Sequence, residues 1–169
     1  GIGLMDNFAN SSGIAALANR HLGHLGVEVF GGLIMEPTAG GISADAVRIA
    51  LKLGYGEVTD GARFISLPTH HTQHIARMEN RSDDYVAHCL AIPDSGPLPD
   101  PLSEIFDLVA EADVVLNTGH INGPEALRVV ASPGTYAGGK FATRAREVKA
   151  GALHGTTSQA AKYNTARAY

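Results

Sequence analysis

The sequence lacks the features that mark several large classes of protein. It has no tryptophan, one cysteine and no excess of positive charge: 13 Lys and Arg stand against 17 Asp and Glu, and the formal net charge is -4. A negative chain without a basic run gives nucleic acid or an anionic membrane surface little to hold by bulk electrostatics, so we expect neither as a partner. A single cysteine excludes an internal disulfide and is typical of a reducing compartment, and we expect the cytoplasm.

Long apolar runs are also missing. No stretch approaches the roughly 20 apolar residues of a membrane-spanning helix, and the first residues, GIGLMD, lack the basic region of a signal peptide. Cys89 lies in the apolar run 86–92 (VAHCLAI), which predicts a small β-excursion with Cys89 as a buried, inert thiol and His88 as a core group.

What the chain does have is a regular alternation of strand-like and helix-like segments. Short apolar runs typical of buried parallel strands occur at 1–5, 27–35, 63–67 and 114–118. Helical patterns follow them: an apolar stripe from Ile14 to Leu25, a helix capped by Ser43, a stripe from Leu102 to Ala110 and a helix opening at Pro124. Consecutive βα units of this kind predict an α/β fold with a parallel sheet over residues 1–131.

The composition changes after residue 131, and no further strand follows the Pro124 helix. Residues 132–169 are predicted to form a C-terminal tail, helical or irregular, with helices possible at 141–150 and 158–169. Such a tail usually covers the surface of its own domain or contacts a partner.

Two of the predicted strands end in histidine. The run 112–120 (ADVVLNTGH) delivers His120 to the carboxyl edge of its strand, and 63–67 runs directly into PTHHTQH. In parallel α/β proteins the loops at this edge converge on the functional site. His120 is therefore a candidate metal ligand, and the alternative is a structural histidine hydrogen-bonded to a loop carbonyl.

The second cluster offers three more imidazoles, at His70, His71 and His74. On a helix His70 and His74 would lie on one face at i and i+4, the spacing that lets two imidazoles hold one zinc ion. Glutamate would follow the first histidine in the zinc-protease pattern, but here His71 does, so no zinc protease is predicted. We take His70 and His74 as candidate metal ligands and His71 as a candidate acid/base; the alternative is a polar loop.

Two acidic residues also follow predicted strands. Asp6 comes after the first strand and Glu36 after the second. Either carboxylate can serve as a general base or a ligand at the strand edge.

The order of four short segments resembles a little-characterised branch of the amidohydrolase-like metal-dependent hydrolases. The segments are GVEVFGGLI at 26–34, GGISADAV at 40–47, ISLPT at 65–69 and VLNTGH at 115–120, and the resemblance covers about residues 1–130. It implies part of a (β/α)₈ barrel and a divalent-metal hydrolase, with decarboxylases among the relatives. His120 matches the family's strand-end ligand, and Asn122 and Glu125 would lie on the same loop.

The chain departs from that family in two ways. It has no His-x-His, the pattern of the family's first strand, and a full barrel typically needs about 250 residues. We therefore expect a fragment of a barrel, an incompletely determined sequence or a diverged protein.

These observations lead to one expected function and two alternatives. The first is a metal-dependent hydrolase, with zinc or manganese, that acts on a small polar amide, ester or lactone through a metal-activated water. The second is a metal-independent lyase, isomerase or decarboxylase that uses histidine as acid/base. The third is a non-catalytic binding or assembly module that covers its sheet edges with a second copy, and we expect a homo-oligomer.

Overall fold

The computed structural model describes residues 1–53 and 61–131, an α/β arrangement in which parallel strands alternate with helices. The strands are short: β1 (Ile2–Gly3), β2 (Val29–Phe30), β3 (Gly32–Ile34), β4 (Phe64–Ser66) and β5 (Val115–Asn117). The helices are α1 (Ser12–Leu22), α2 (Ala44–Lys52), α3 (Gln73–Met78), α4 (Asp83–Ala87), α5 (Leu102–Glu111) and α6 (Gly123–Val130), with 3₁₀ turns at Gly23–Leu25 and Pro37–Ala39.

The strands form two parallel sheets, and within each sheet neighbouring strands follow chain order. β1 pairs in parallel with β2, and β3, β4 and β5 form a three-stranded parallel sheet. Within the described part of the chain the strands form these two open sheets, and none closes into a barrel. The prediction of consecutive βα units is confirmed, and the likeness to a (β/α)₈ barrel stays a prediction.

The predicted strand over 27–35 is interrupted at Gly31. A β-carbon on this residue would lie 2.3 Å from Cα of Ser12 at the start of α1, so only glycine allows the helix to approach this closely. The chain therefore pairs with β1 before the break and with β4 after it.

The core lies between the β3–β4–β5 sheet and helices α2 and α5, which pack against each other. The predicted stripe of α5 is confirmed, with four of its five apolar residues fully buried: Leu102, Ile105, Phe106 and Val109. α2 begins where predicted, since Ser43 accepts a hydrogen bond from the backbone N–H of Ala46 at 3.3 Å.

Residues 86–92 do not form the predicted β-excursion. Ser82 caps α4 by accepting a hydrogen bond from the N–H of Tyr85, and two aspartates in the first turn favour the helix dipole. The helical pattern therefore prevails over the apolar run, and only a single bridge between Thr72 and Leu90 has β character. His88, expected in the core, is exposed.

α1 forms where predicted, but its apolar stripe faces outward. Ile14, Leu17 and Leu22 are exposed, and the buried residues of this helix are Ser12, Ala15 and Ala16. Over the described ranges no helix combines the length and apolarity needed to span a bilayer. The predicted tail at 132–169 lies outside the described residues.

Candidate active site

The carboxyl ends of β3, β4 and β5 bring three loops together. The N–H of His120, after β5, donates to the carbonyl of Pro68, after β4, at 3.1 Å. Gly119 permits this contact, because it has φ of +60° and its β-carbon would lie 2.3 Å from the same carbonyl oxygen. Glu36, after β3, reaches the same loop through its side chain. The convergence expected at this edge of a parallel sheet is therefore present.

Glu36 is the most heavily engaged side chain of the site. Its carboxylate, on a residue only 4% exposed, accepts from the backbone N–H groups of Thr69 at 2.6 Å, His70 at 2.5 Å and His71 at 3.2 Å, and from the Thr69 hydroxyl at 2.8 Å. Burial by itself raises the pKa of Glu36, but the hydrogen bonds from His70, Thr69 and His71 outweigh it, so the pKa lies below its ordinary value.

This geometry gives Glu36 a clear structural task. A carboxylate offers about four lone-pair sites, and the loop presents four donors to it. Glu36 therefore fixes the path of residues 69–71, and with it the positions of two histidines. The role predicted for Glu36, as a base or a ligand, stays a prediction.

His70 lies between the Glu36 carboxylate and solvent. Its Nδ1 atom lies 3.7 Å from Glu36 Oε1, 3.2 Å from the hydroxyl oxygen of Thr69 and 3.3 Å from the side-chain nitrogen of Asn7. The side chain is nevertheless 60% exposed. One ring nitrogen thus faces a buried carboxylate, and no hydrogen bond ties Nε2 to another described residue.

A cleft of about 450 Å³ opens beside His70. Its described lining combines polar and apolar side chains: Asn7, Phe8, Glu36, Pro37, Thr38, His70, His71 and Tyr85. Asp6 is not among them. Its Oδ1 accepts a hydrogen bond from the N–H of Phe8 at 2.7 Å, so Asp6 shapes the turn that carries the rim of the cleft.

His71 also lines the cleft, but its ring is held by the protein. Nε2 donates to the carbonyl of His88 at 2.9 Å, Nδ1 lies 3.8 Å from Cys89 Sγ, and the ring meets Tyr85 edge-on at 5.5 Å. Burial first, and then the negative charge of Glu36, raise the pKa of Cys89. The thiol is therefore protonated, and both nitrogens of His71 face protein groups, which makes His70 the more available base.

The other predicted metal ligands, His74 and His120, lie on different segments of the fold. α3 begins only at Gln73, so His70 precedes the helix that carries His74, and the two do not share a helical face. His120 is exposed, and its Nδ1 donates to the carbonyl of Thr69 at 2.9 Å. This is the loop-carbonyl bond of the structural alternative, although ligating histidines commonly make the same bond.

The described histidine and carboxylate side chains are too dispersed for a metal site. Structural and catalytic zinc sites use at least three protein ligands. Within residues 1–53 and 61–131, no three His, Cys, Asp or Glu side chains converge to hold an ion. The described residues therefore do not fit a complete metal site.

A family model matches residues 1–143 of the chain, that of a family of unknown function, DUF6282. The chain belongs to this family. No curated protein and no solved structure matches the chain. The family description names no activity, so the geometry of the cleft is the basis for any functional proposal.

Several side chains of this DUF6282 cleft escaped the sequence reading. Asn7 and Phe8 follow β1 just as Glu36 follows β3, so the strand-end argument applied to Asp6 would have reached them. Thr69, which contacts the Glu36 carboxylate, carried the same pattern after β4. Tyr85 had no such pattern, because it reaches the cleft from α4, a helix that the sequence did not predict.

Proposed function

We propose that this cleft is the active site of a hydrolase that acts on a small polar amide, ester or lactone, with His70 as the general base. One observation carries the proposal: His70 Nδ1 lies 3.7 Å from the buried carboxylate of Glu36 while the ring is 60% exposed beside the cleft. At 3.7 Å the carboxylate acts on the ring through its charge and not through a hydrogen bond. A histidine beside a carboxylate charge, with its second nitrogen open to substrate, is suited to act as an acid/base residue.

The carboxylate also favours one tautomer of the ring. This tautomer requires the Asn7 amide to turn its oxygen toward His70 and its nitrogen toward the Thr69 hydroxyl oxygen. A proton on Nδ1 is then donated to the Asn7 oxygen, its positive N–H dipole lies near the negative charge of Glu36, and the neutral ring has its lone pair on Nε2. The single hydroxyl hydrogen of Thr69 goes to the carboxylate, its charged acceptor at 2.8 Å, which leaves the Thr69 oxygen able to accept from the Asn7 nitrogen. Nε2 is thus the nitrogen available to a reactant.

The chemistry follows from that lone pair. Nε2 takes a proton from a water molecule as its oxygen attacks the substrate carbonyl carbon, which forms a tetrahedral intermediate. The protonated ring returns the proton to the leaving oxygen or nitrogen as the carbonyl bond re-forms and the bond to the leaving group breaks. Glu36 keeps its charge throughout and stabilises the positive ring.

The test compares turnover of phenyl acetate, acetanilide and γ-butyrolactone by the wild type, His70→Ala and His70→Gln. We expect both variants to lose about 10²- to 10⁴-fold in kcat/KM, the usual contribution of a positioned general base. His21→Ala, which removes an exposed histidine outside the cleft, is the matched control and should retain activity. No turnover by the wild type, or full activity of His70→Ala, would refute the proposal.

A metal-dependent version is the second candidate, and the hydrogen bond from His120 Nδ1 to the Thr69 carbonyl favours it. That bond fixes the ring and leaves Nε2 as the ligating atom. His120 and His70 would hold a zinc or manganese ion, which when bound supplies Lewis-acid activation of water. The described residues complete no ligand set for this ion.

Metal analysis separates the two candidates. Activity that is lost with a chelator, restored by zinc or manganese and abolished in His120→Ala would establish the metal-dependent version. Full activity in metal-free protein, with His120→Ala unimpaired, would exclude it and leave His70 as the base.

A further inference from the structure

Phe8 is a large apolar side chain in an unusual position. It is 76% exposed, yet it lines the cleft beside His70. Because the Phe8 ring is not buried, it contributes little hydrophobic stabilisation to the fold. A phenyl ring exposed at the rim of a polar site is therefore a candidate ligand contact.

The segment that leads into Phe8 is held in place by polar contacts. Its N–H donates to Asp6 Oδ1 at 2.7 Å, and the carbonyl of the preceding Asn7 accepts from the Thr38 hydroxyl at 2.6 Å. The Asn7 side chain in turn lies 2.9 Å from Thr69 Oγ1. The peptide that precedes Phe8 is therefore tied to the loop after β3, and the Asn7 side chain to the loop after β4, which lowers the entropy lost when the ring contacts a ligand.

The rest of the lining separates into polar and apolar parts. Pro37 and Tyr85 supply further apolar surface, while Asn7, Thr38 and His70 supply hydrogen-bonding groups. A ligand that satisfies both parts has a polar carbonyl group attached to a flat apolar group.

We propose that Phe8 is a substrate-specificity residue whose ring packs against an aromatic group of the substrate. Building on the proposed hydrolase activity, this assigns the substrate class as aryl-substituted amides, esters or lactones. Aromatic pairs prefer offset or edge-to-face contact and contribute beyond their buried area. Small aliphatic carbonyl compounds make the polar contacts alone and bind more weakly.

Binding is tested separately from catalysis with benzamide and acetamide as probes. Their dissociation constants are measured by chemical-shift titration of the intact protein. We expect benzamide to bind about tenfold more tightly than acetamide to the wild type, and Phe8→Ala to abolish this preference while Phe8→Tyr keeps it. Ile49→Ala removes a residue 62% exposed on α2, outside the cleft lining, and should leave both constants unchanged.

The outcomes distinguish this proposal from the proposed activity. Equal binding of both probes by the wild type, no binding of either, or an unchanged preference in Phe8→Ala overturns the role of Phe8, whatever the turnover assay gives. A benzamide preference that depends on Phe8 supports it even where none of the esters, amides or lactones is hydrolysed, and in that case only the hydrolase assignment fails.

Discussion

The carboxylate of Glu36 accepts two hydrogen bonds from Thr69, one from its backbone N–H at 2.6 Å and one from its hydroxyl at 2.8 Å. The two residues are 33 positions apart and follow neighbouring strands. Their contact joins the loop after β3 to the loop after β4, next to His70, which we propose as the base.

Removing the Glu36 carboxylate should destabilise the fold. Glu36→Ala leaves the N–H groups of Thr69, His70 and His71 without their acceptor, and we expect a loss of about 3 kcal/mol in the free energy of unfolding. Glu36→Gln keeps one acceptor oxygen and should lose about half as much. Urea denaturation measures both, with the exposed Glu28→Ala as the control, expected within about 0.5 kcal/mol of wild type. If Glu36→Ala unfolded at the same urea concentration as the wild type, Glu36 would not be what holds residues 69–71 in place.

The same carboxylate predicts a pH dependence of stability. Because the pKa of Glu36 is lower in the folded state than its ordinary value of 4.5, its contribution is fully present above 4.5 and is lost as pH falls through the folded value. We expect the difference in unfolding free energy between wild type and Glu36→Gln to shrink as the pH falls below about 4.5. Urea titrations of the two proteins on both sides of that pH measure it. A difference that grows on acidification would show that the folded-state pKa is raised instead.

Cys89 should be a slow nucleophile. The residue is 6% exposed, and burial together with the charge of Glu36 raises the pKa of its thiol, so little thiolate forms near neutral pH. Alkylation by iodoacetamide at pH 7.5, followed by mass spectrometry, should be at least about tenfold slower in the folded protein than in the denatured chain. Equal rates in the two states would mean that the thiol is accessible and ionised, and would reopen a catalytic role for this residue.

The start of α6 provides a stability test away from the cleft. Asn122 accepts from the N–H of Glu125 at 2.8 Å, and Glu125 accepts in return from the N–H of Asn122 at 2.9 Å, which is a capping box. Asn122→Ala should lower the free energy of unfolding by about 1 kcal/mol, whereas Asn122→Asp, which keeps the acceptor, should stay within about 0.5 kcal/mol. Urea denaturation of the pair measures this. Equal losses in both variants would show that the cap contributes little.

Glu125 illustrates a limit of reading local patterns. The sequence placed it on the loop of His120, near the site, by resemblance alone. Its other carboxylate oxygen accepts from the N–H of Ile92 at 3.0 Å, so the residue joins α6 to a distant segment. A contact between residues 33 positions apart has no local pattern that would reveal it.

Elements whose cause is local can be predicted from the amino-acid sequence alone. Ser43 marks the start of α2, the stripe from Leu102 to Val109 marks the buried face of α5, and strand-ending histidines mark the edge where the loops meet. Caps and periodicity act over three to four residues, so they can be read from the chain.

Which of the candidate side chains share a cleft depends on contacts between distant parts of the chain. The tertiary structure engaged both nitrogens of His71 with protein groups, left His70 open beside Glu36, and placed Phe8 at the rim. These outcomes depend on hydrogen bonds between residues 17 to 62 positions apart, which form only when the strands align. The sequence therefore predicts the edge of the sheet at which chemistry is expected, and the tertiary structure is the reason that we propose His70 for it.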